Sequence, residues 1–313
     1  MSGAETEIAI DASRAGRTLA DVVRQGQAEP CSWNRARELC KRGKVRRNGE
    51  LETDATVRVQ LGDRVSIHLQ APRVRQHVLD ESALIHVDAH VVVVSKPAGL
   101  LTVPFDASDK NTLADRLRFL LRRRYGSQGA ELGAVQRLDK DTTGLLVFAR
   151  TLTAKRQLQE AFRVHAIERR YLALAHGVVE EQHVETQLLR DRGDGLRGSF
   201  GRFKAARGPV PADAKRAITD VRPLAALRGA TLVECQLSTG RQHQIRIHLS
   251  EAGNPLLGEE VYVRDYREQL LPAPRIMLHA AVLGFTHPCT GRALRFELPV
   301  PTDFAETRAR LER

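Results

Sequence analysis

Residues 137–144, Arg-Leu-Asp-Lys-Asp-Thr-Thr-Gly, lead without a break into Leu-Leu-Val-Phe-Ala-Arg at 145–150. A polar loop with two carboxylates, closed by a glycine and entering an apolar run of strand length, is pinned to the rim of a sheet. Asp139 and Asp141 suit either of two roles there: a rigidly held reacting group, or turn formers that bond nearby backbone amides. Other segments supply the rest of a sheet. Val91, Val92, Val93 and Val94 form a β-branched run that reads as a buried strand, ended by Lys96, Pro97 and Gly99. Pro97 and Gly99 turn the chain, and Lys96 is a candidate phosphate contact. Helical spacing of Leu113, Leu117, Leu120 and Leu121 predicts a helix over 112–124 with a basic outer face, and a second follows at 154–164. Strand-like segments lie at 167–174 and 232–237, the latter turning at Thr239 and Gly240.

The first part of the chain has a different texture. Residues 1–15 read as a loose lead-in. Helical stretches follow at 18–23 and 32–41, and Asn48-Gly49 reads as a tight turn between a short strand at Val45 and the alternating residues 57–61. Between positions 35 and 47 stand Arg35, Arg37, Lys41, Arg42, Lys44, Arg46 and Arg47 against one acid, Glu38. On a helix Arg35 shares a face with Glu38, whereas Arg37 and Lys41, four apart, can track a phosphate backbone. A solvated helix of a small capping domain is the alternative. Residues 71–81 lack periodicity and read as a linker, and 190–216 is a long Arg-, Gly- and Pro-rich segment, either mobile or in contact with RNA.

Charge narrows the partner. Lys and Arg number 49 against 38 Asp and Glu, a net +11 carried mostly by arginine. Arginine binds phosphate bidentately and stacks on bases, which favours nucleic acid over a membrane surface. No run of eighteen apolar residues is present to span a bilayer, and no secretory pattern opens the chain. The four cysteines form no CxxC pair, so neither a zinc knuckle nor a disulfide framework is indicated and a reducing cytoplasm is expected. His243 and His248, five apart, do not match a helical metal pair, and there is no dinucleotide fingerprint or P-loop.

The loop at 137–144 resembles the catalytic signature of the RluA-type pseudouridine synthases, with Gln136 where histidine is usual and Thr143 where serine is common. Further blocks follow in that family's order. Lys96-Pro97-Ala98-Gly99 matches its first motif, Tyr171 its pocket tyrosine with Arg169 in place of a lysine, and Thr239-Gly240-Arg241-Gln242-His243-Gln244-Ile245-Arg246 its arginine segment. Gly253-Asn254-Pro255 and Gly258 continue the match, with Glu259 where aspartate is usual, and the last block contains Leu283. The 16–75 region resembles an S4 RNA-binding domain through its helix, its Gly43-to-Gly49 turn and its closing Leu61-Gly62-Asp63-Arg64-Val65.

The resemblance implies an isomerase that turns uridine in RNA, most readily ribosomal RNA, into pseudouridine, a reaction for which no cofactor is expected. Asp139 would be the catalytic group, Arg246 its partner favouring the ionised carboxylate, and Tyr171 the aromatic wall and nearest candidate for a final proton transfer. Arg137 would fill the space left by the flipped base, and Leu283 would help wall the pocket. Transfer RNA is the alternative substrate. Two other classes stand beside it: a non-catalytic RNA-binding or ribosome-assembly factor, and a glycoside hydrolase with Asp141 as second carboxylate. The expected architecture is α+β, with a mixed, largely antiparallel sheet, flanking helices and a central cleft, plus a small N-terminal S4-like α/β domain. The expected boundaries are 1–15 lead-in, 16–75 S4-like domain, 76–82 linker and 83–313 catalytic domain, acting as a monomer on RNA.

Overall fold

The computed structural model describes residues 5–26, 30–71, 79–106, 109–126, 131–202 and 209–312. It divides into two compact units, Met1–Val78 and Leu79–Arg313. Residues 76–78 of the expected linker at 76–82 lie outside the described residues; beyond Leu79, Asp80 caps a single 3-10 turn, Glu81–Ala83.

The smaller unit contains β1 (Glu5–Ala9), α1 (Leu19–Gln25), α2 (Trp33–Lys41), β2 (Val45–Arg47), β3 (Glu50–Leu51) and β4 (Arg64–His68). Its strands form an antiparallel sheet in the order β1-β4-β2-β3. Both helices begin where a side-chain oxygen replaces a missing backbone acceptor: Thr18 takes the amide of Asp21, and Ser32 that of Arg35. Such a cap is worth about 1 kcal/mol. Leu19, Val22, Val23, Leu39 and Cys40 close over Val45, Val65 and Ile67.

Two expectations are corrected here. The lead-in is in part a strand, because Ile8 and Ile10 are buried and β1 pairs along β4, with Ile8 opposite Val65. The Asn48-Gly49 turn joins β2 to β3, and both of its residues hold positive φ. Residues 57–61 do not enter the sheet; their backbone instead serves α1, the amides of Leu19 and Gly16 donating to Val57 and Val59 at 2.7 and 2.8 Å.

The larger unit is built from β5 (Leu84–Val87), β6 (Val91–Lys96), α3 (Leu113–Tyr125), β7 (Gly133–Ala134), β8 (Thr143–Ala149), α4 (Leu152–Arg163), β9 (Glu168–His176), β10 (Gln182–Leu189), β11 (Gly198–Ser199), β12 (Lys215–Leu227), β13 (Ala230–Leu237), α5 (Gln244–Glu251), β14 (Leu278–Thr286), β15 (Ala293–Glu297) and α6 (Thr302–Glu312). The strands make one sheet in the order β11-β10-β12-β13-β9-β14-β8-β6-β5, with β15 also on β14 and β7 on β8. Among the described residues every pairing but one is antiparallel, so the mixed, largely antiparallel sheet is as expected. The period of two in a strand sorts its residues between the faces. Val92, Val94, Leu146 and Phe148 pack with α3, whereas Val91, Val93, Leu145 and Val147 pack with α4.

The exception is the short parallel seam between β8 and β14, where His279 pairs with Thr143 and Ala280 with Gly144. Gly144 has φ +118°, and a Cβ there would lie 2.3 Å from the Ala280 carbonyl oxygen. Only glycine lets the two strands approach this closely. Ala280 also faces Tyr171 of β9, so the seam brings the 137–142 loop, β14 and Tyr171 to one end of the sheet.

Candidate active site

The loop before β8 has its backbone held from four sides. The Lys96 ammonium donates to the carbonyls of Pro97, Lys140 and Thr142 at 2.9, 2.7 and 2.8 Å. Thr102 both donates to and accepts from Leu138, the Leu100 amide reaches Lys140 at 3.2 Å, and Arg275 Nη1 reaches the Asp141 carbonyl at 3.2 Å. Lys96 is 1% exposed, so it is no phosphate contact but an internal strut. Burial pushes its pKa down to about 7 against the pull of Asp141 and Asp139, while three carbonyl acceptors match the three protons of an ammonium.

So fixed, Asp139 points its carboxylate into a cleft of about 820 Å³ that Arg137, Tyr171 and Arg246 also line. Among the described residues its side chain caps no backbone amide, which removes the turn-former role. Its Oδ2 lies 3.6 Å from Arg246 Nη1 and 3.9 Å from His243 Nε2. Arg246 gives its other two nitrogens to Glu259, at 2.7 and 2.8 Å. Burial pushes the Glu259 carboxyl up, but the Arg246 guanidinium and the amides of Val261 and Tyr262 outweigh it and hold the group below the usual carboxylate range. The Tyr262 hydroxyl bonds His243 Nδ1 at 2.7 Å, and the Tyr262 ring lies 5.3 Å from the Arg246 guanidinium carbon. Burial lowers the His243 pKa, with Asp139 opposing it, which favours a neutral imidazole.

Arg246 and His243 sit on α5 and at its start, a helix the apolar pattern does not announce. Residues 244–249 are all buried, so no stripe separates a wet face from a dry one. His243 takes a left-handed backbone, φ 58°, turning the chain from the β13 end into the helix. His243, Glu259 and Lys96 are the site residues that pattern reading missed or misassigned. The only signal for the first two was their place inside matched motifs.

Tyr171 is buried on β9 and lines the same cleft. Burial pushes its phenol up against the pull of Arg169, with Asp139 adding to the rise, so it stays protonated at neutral pH. Arg169 donates to the carbonyls of Leu237 and Ser238 at 3.2 and 2.9 Å. Arg137 is exposed, and Arg163, His165 and Arg241 extend a basic rim. Leu283 does not line the cleft: past the bulge between Ala280 and Val282 it packs in the cluster with Val91, Val93, Leu145 and Val147. The apolar lining comes instead from Leu101, Leu138, Leu237 and Ile276. In the 190–216 segment, residues 203–208 lie outside the described residues; earlier, Arg192 pairs with Asp194, and the Ser199 amide donates to Glu251.

In the smaller unit the seven basic residues divide into two groups. Arg42 pairs with Glu38 at 2.5 Å, Lys44 donates to the Ala71 carbonyl, Arg46 to that of Gly49, and Arg47 faces Asp63. Glu38 is thus taken by Arg42 and not by Arg35. Arg35, Arg37 and Lys41 are exposed along α2, and among the described residues none makes an ion pair.

The cleft thus sets the Asp139 carboxylate beside a guanidinium and a phenol, under a basic rim, with Asp141 also in its lining. The family profile described as RNA pseudouridylate synthase matches residues 90–251. "Ribosomal large subunit pseudouridine synthase D" of Zymomonas mobilis is 35% identical, covering 93% of this chain and 91% of the relative. "Uncharacterized RNA pseudouridine synthase YlyB" of Bacillus subtilis is 34% identical over 88% of each chain. Among solved structures, "Human RNA Pseudouridylate Synthase Domain Containing 4" superposes with TM-score 0.59 at 25% identity, covering 74% of this chain and 93% of that one. The chain belongs to the RNA pseudouridylate synthase family and is an RNA-modifying isomerase. Among the described residues no helix is long and apolar enough to cross a membrane.

Proposed function

We propose that the chain converts uridines of ribosomal RNA to pseudouridine, with Asp139 as the catalytic carboxylate. The supporting observation is the 3.6 Å approach of Arg246 Nη1 to Asp139 Oδ2 in the cleft that Tyr171 lines. In this reading the uridine leaves its stack and Arg137 fills the vacated space. The base lies against Tyr171, a contact worth ~1 to ~3 kcal/mol for base–aromatic stacking in general. Asp139 acts as nucleophile at C1′ or C6, or as the base that generates a glycal. The bond from C1′ to N1 breaks, the base turns, and a bond from C1′ to C5 forms. The proton lost from C5 is balanced by one gained at N1, and Tyr171, held protonated, serves this transfer as a relay through its hydroxyl and not as a resting phenolate.

Ribosomal RNA is favoured over transfer RNA by the Zymomonas mobilis relative, whose name specifies the large ribosomal subunit. Residues 16–75 would act as an S4-like module that grips RNA through Arg35, Arg37 and Lys41, and residues 83–313 as the catalytic domain. Mapping pseudouridines in ribosomal and transfer RNA from cells with the wild-type protein, with Asp139→Asn, and without either tests the proposal. Ribosomal positions should vanish in the last two, while the purified variant still binds RNA. Loss confined to transfer RNA would overturn the substrate, and sites retained with Asp139→Asn would overturn the residue.

A further inference from the structure

We infer that Trp33 is a stacking platform for an unpaired RNA base, with the neighbouring phosphates held by Arg35, Arg37 and Lys41. The inference rests on the reading of the smaller unit as an RNA-gripping module. Trp33 is the only tryptophan of the chain and opens α2. It is 45% exposed and stands apart from the core of its unit, to which α2 gives Ala36, Leu39 and Cys40. The exposed part of its ring is open to a ligand.

Its neighbours define the ligand. The guanidinium carbon of Arg24 lies 4.8 Å from the ring centroid and that of Arg37 5.9 Å from it. Asp21 holds Arg24 in place at 3.2 Å. Arg37 is exposed and four residues along the helix from the ring, so it can turn to a phosphate while its stem stays beside Trp33. Lys41 continues the same row another four residues on. An indole with Arg24 and Arg37 over its ring and Lys41 continuing the row matches a strand that alternates flat bases with phosphates, the base stacking on the part of the ring left exposed. Single-stranded RNA offers such free base faces, whereas a duplex buries them in its own stack.

The lone tryptophan makes the full-length protein its own reporter. Its fluorescence is titrated at low salt with a uridine-rich single-stranded oligoribonucleotide and with a fully paired duplex of equal length. Binding is followed in parallel by the anisotropy of end-labelled RNA. The single strand should change the emission and shield the ring from acrylamide, and the duplex should do neither. Trp33→Leu should weaken single-strand binding by about 5- to about 150-fold, the range base–aromatic stacking spans. Trp33→Phe should recover much of it. Anisotropy reporting single-strand binding with unaltered emission and acrylamide access would overturn the inference, and this arm needs no variant to fold. So would equal affinity in all three proteins. No anisotropy change with either RNA would remove the RNA-gripping reading of the unit, and this site with it.

Discussion

The Glu259 carboxylate takes both Nε and Nη2 of Arg246, at 2.7 and 2.8 Å, and leaves Nη1 as the one guanidinium nitrogen turned to Asp139. The Glu259 side chain is fully buried and that of Arg246 is 7% exposed, so the pair is desolvated and solvent does little to screen it. Glu259 therefore sets the direction from which Asp139 meets positive charge.

Glu259→Gln should leave Arg246 buried with a weaker partner, at a cost of up to ~3 to ~5 kcal/mol of stability by the general range for a broken buried pair. It should also lower kcat more than it alters KM, with Glu259→Asp falling between. Single-turnover assays beside urea denaturation separate the two effects. A Gln variant with wild-type kcat would show that Glu259 does not position Arg246.

Lys96→Met should strip the carbonyls of Lys140 and Thr142 in the Asp139 loop, and that of Pro97, of their donor, a buried acceptor costing ~1 to ~3 kcal/mol when left bare. Because a displacement of ~1 Å can cost on the order of 100-fold in rate, turnover should fall by up to about 100-fold in the fraction that folds. Equal turnover per folded molecule would remove Lys96 from the support of Asp139.

Gly144→Ala meets both a positive φ and the Ala280 backbone. The conformation alone should cost ~1 to ~3 kcal/mol, and separation of β8 from β14 should add to it. Thermal unfolding reads the loss directly. A melting temperature equal to the wild type would mean that the seam yields without strain.

Acid should destabilise the larger unit through His248. Burial pushes its pKa from 6.5 down to about 4, and its ring joins Thr219 and Thr186 at 2.9 and 3.0 Å. The folded state thus keeps it neutral where the unfolded chain would take up a proton. The stabilisation is complete above pH 6.5 and is lost as pH falls toward about 4, up to about 3 kcal/mol by linkage. Burial lowers His176 and His279 in the same direction. Urea midpoints at stepped pH should fall across this window, and His248→Gln should flatten the slope; an unflattened slope would exonerate the residue.

Much of the large sheet and its helices could be read from residue order, because one-sided burial leaves an imprint. Leu113, Leu117, Leu120 and Leu121 mark α3, and the valines at 91–94 mark β6. Elsewhere the period is absent or misleads. The α5 helix is buried all round, β1 is only five residues long, and residues 57–61 alternate like a strand while their backbone bonds α1. At the site, Asp139, Tyr171 and Arg246 were recognisable as motif members and do share a cleft. Leu283 was misplaced because a matched motif does not say which cluster its side chain joins, and the roles of His243 and Glu259 emerge only when segments distant in the chain come together.

The two-rung contact of β8 with β14 joins Thr143 to His279, positions that leave the translating ribosome far apart in time. Its formation must wait for the later strand and must first overcome the entropy of closing a long intervening loop. A polypeptide still in synthesis short of Leu278 is therefore expected to carry Asp139 without the frame that aims it, so competence to modify RNA arrives late, after most of the protein has already emerged.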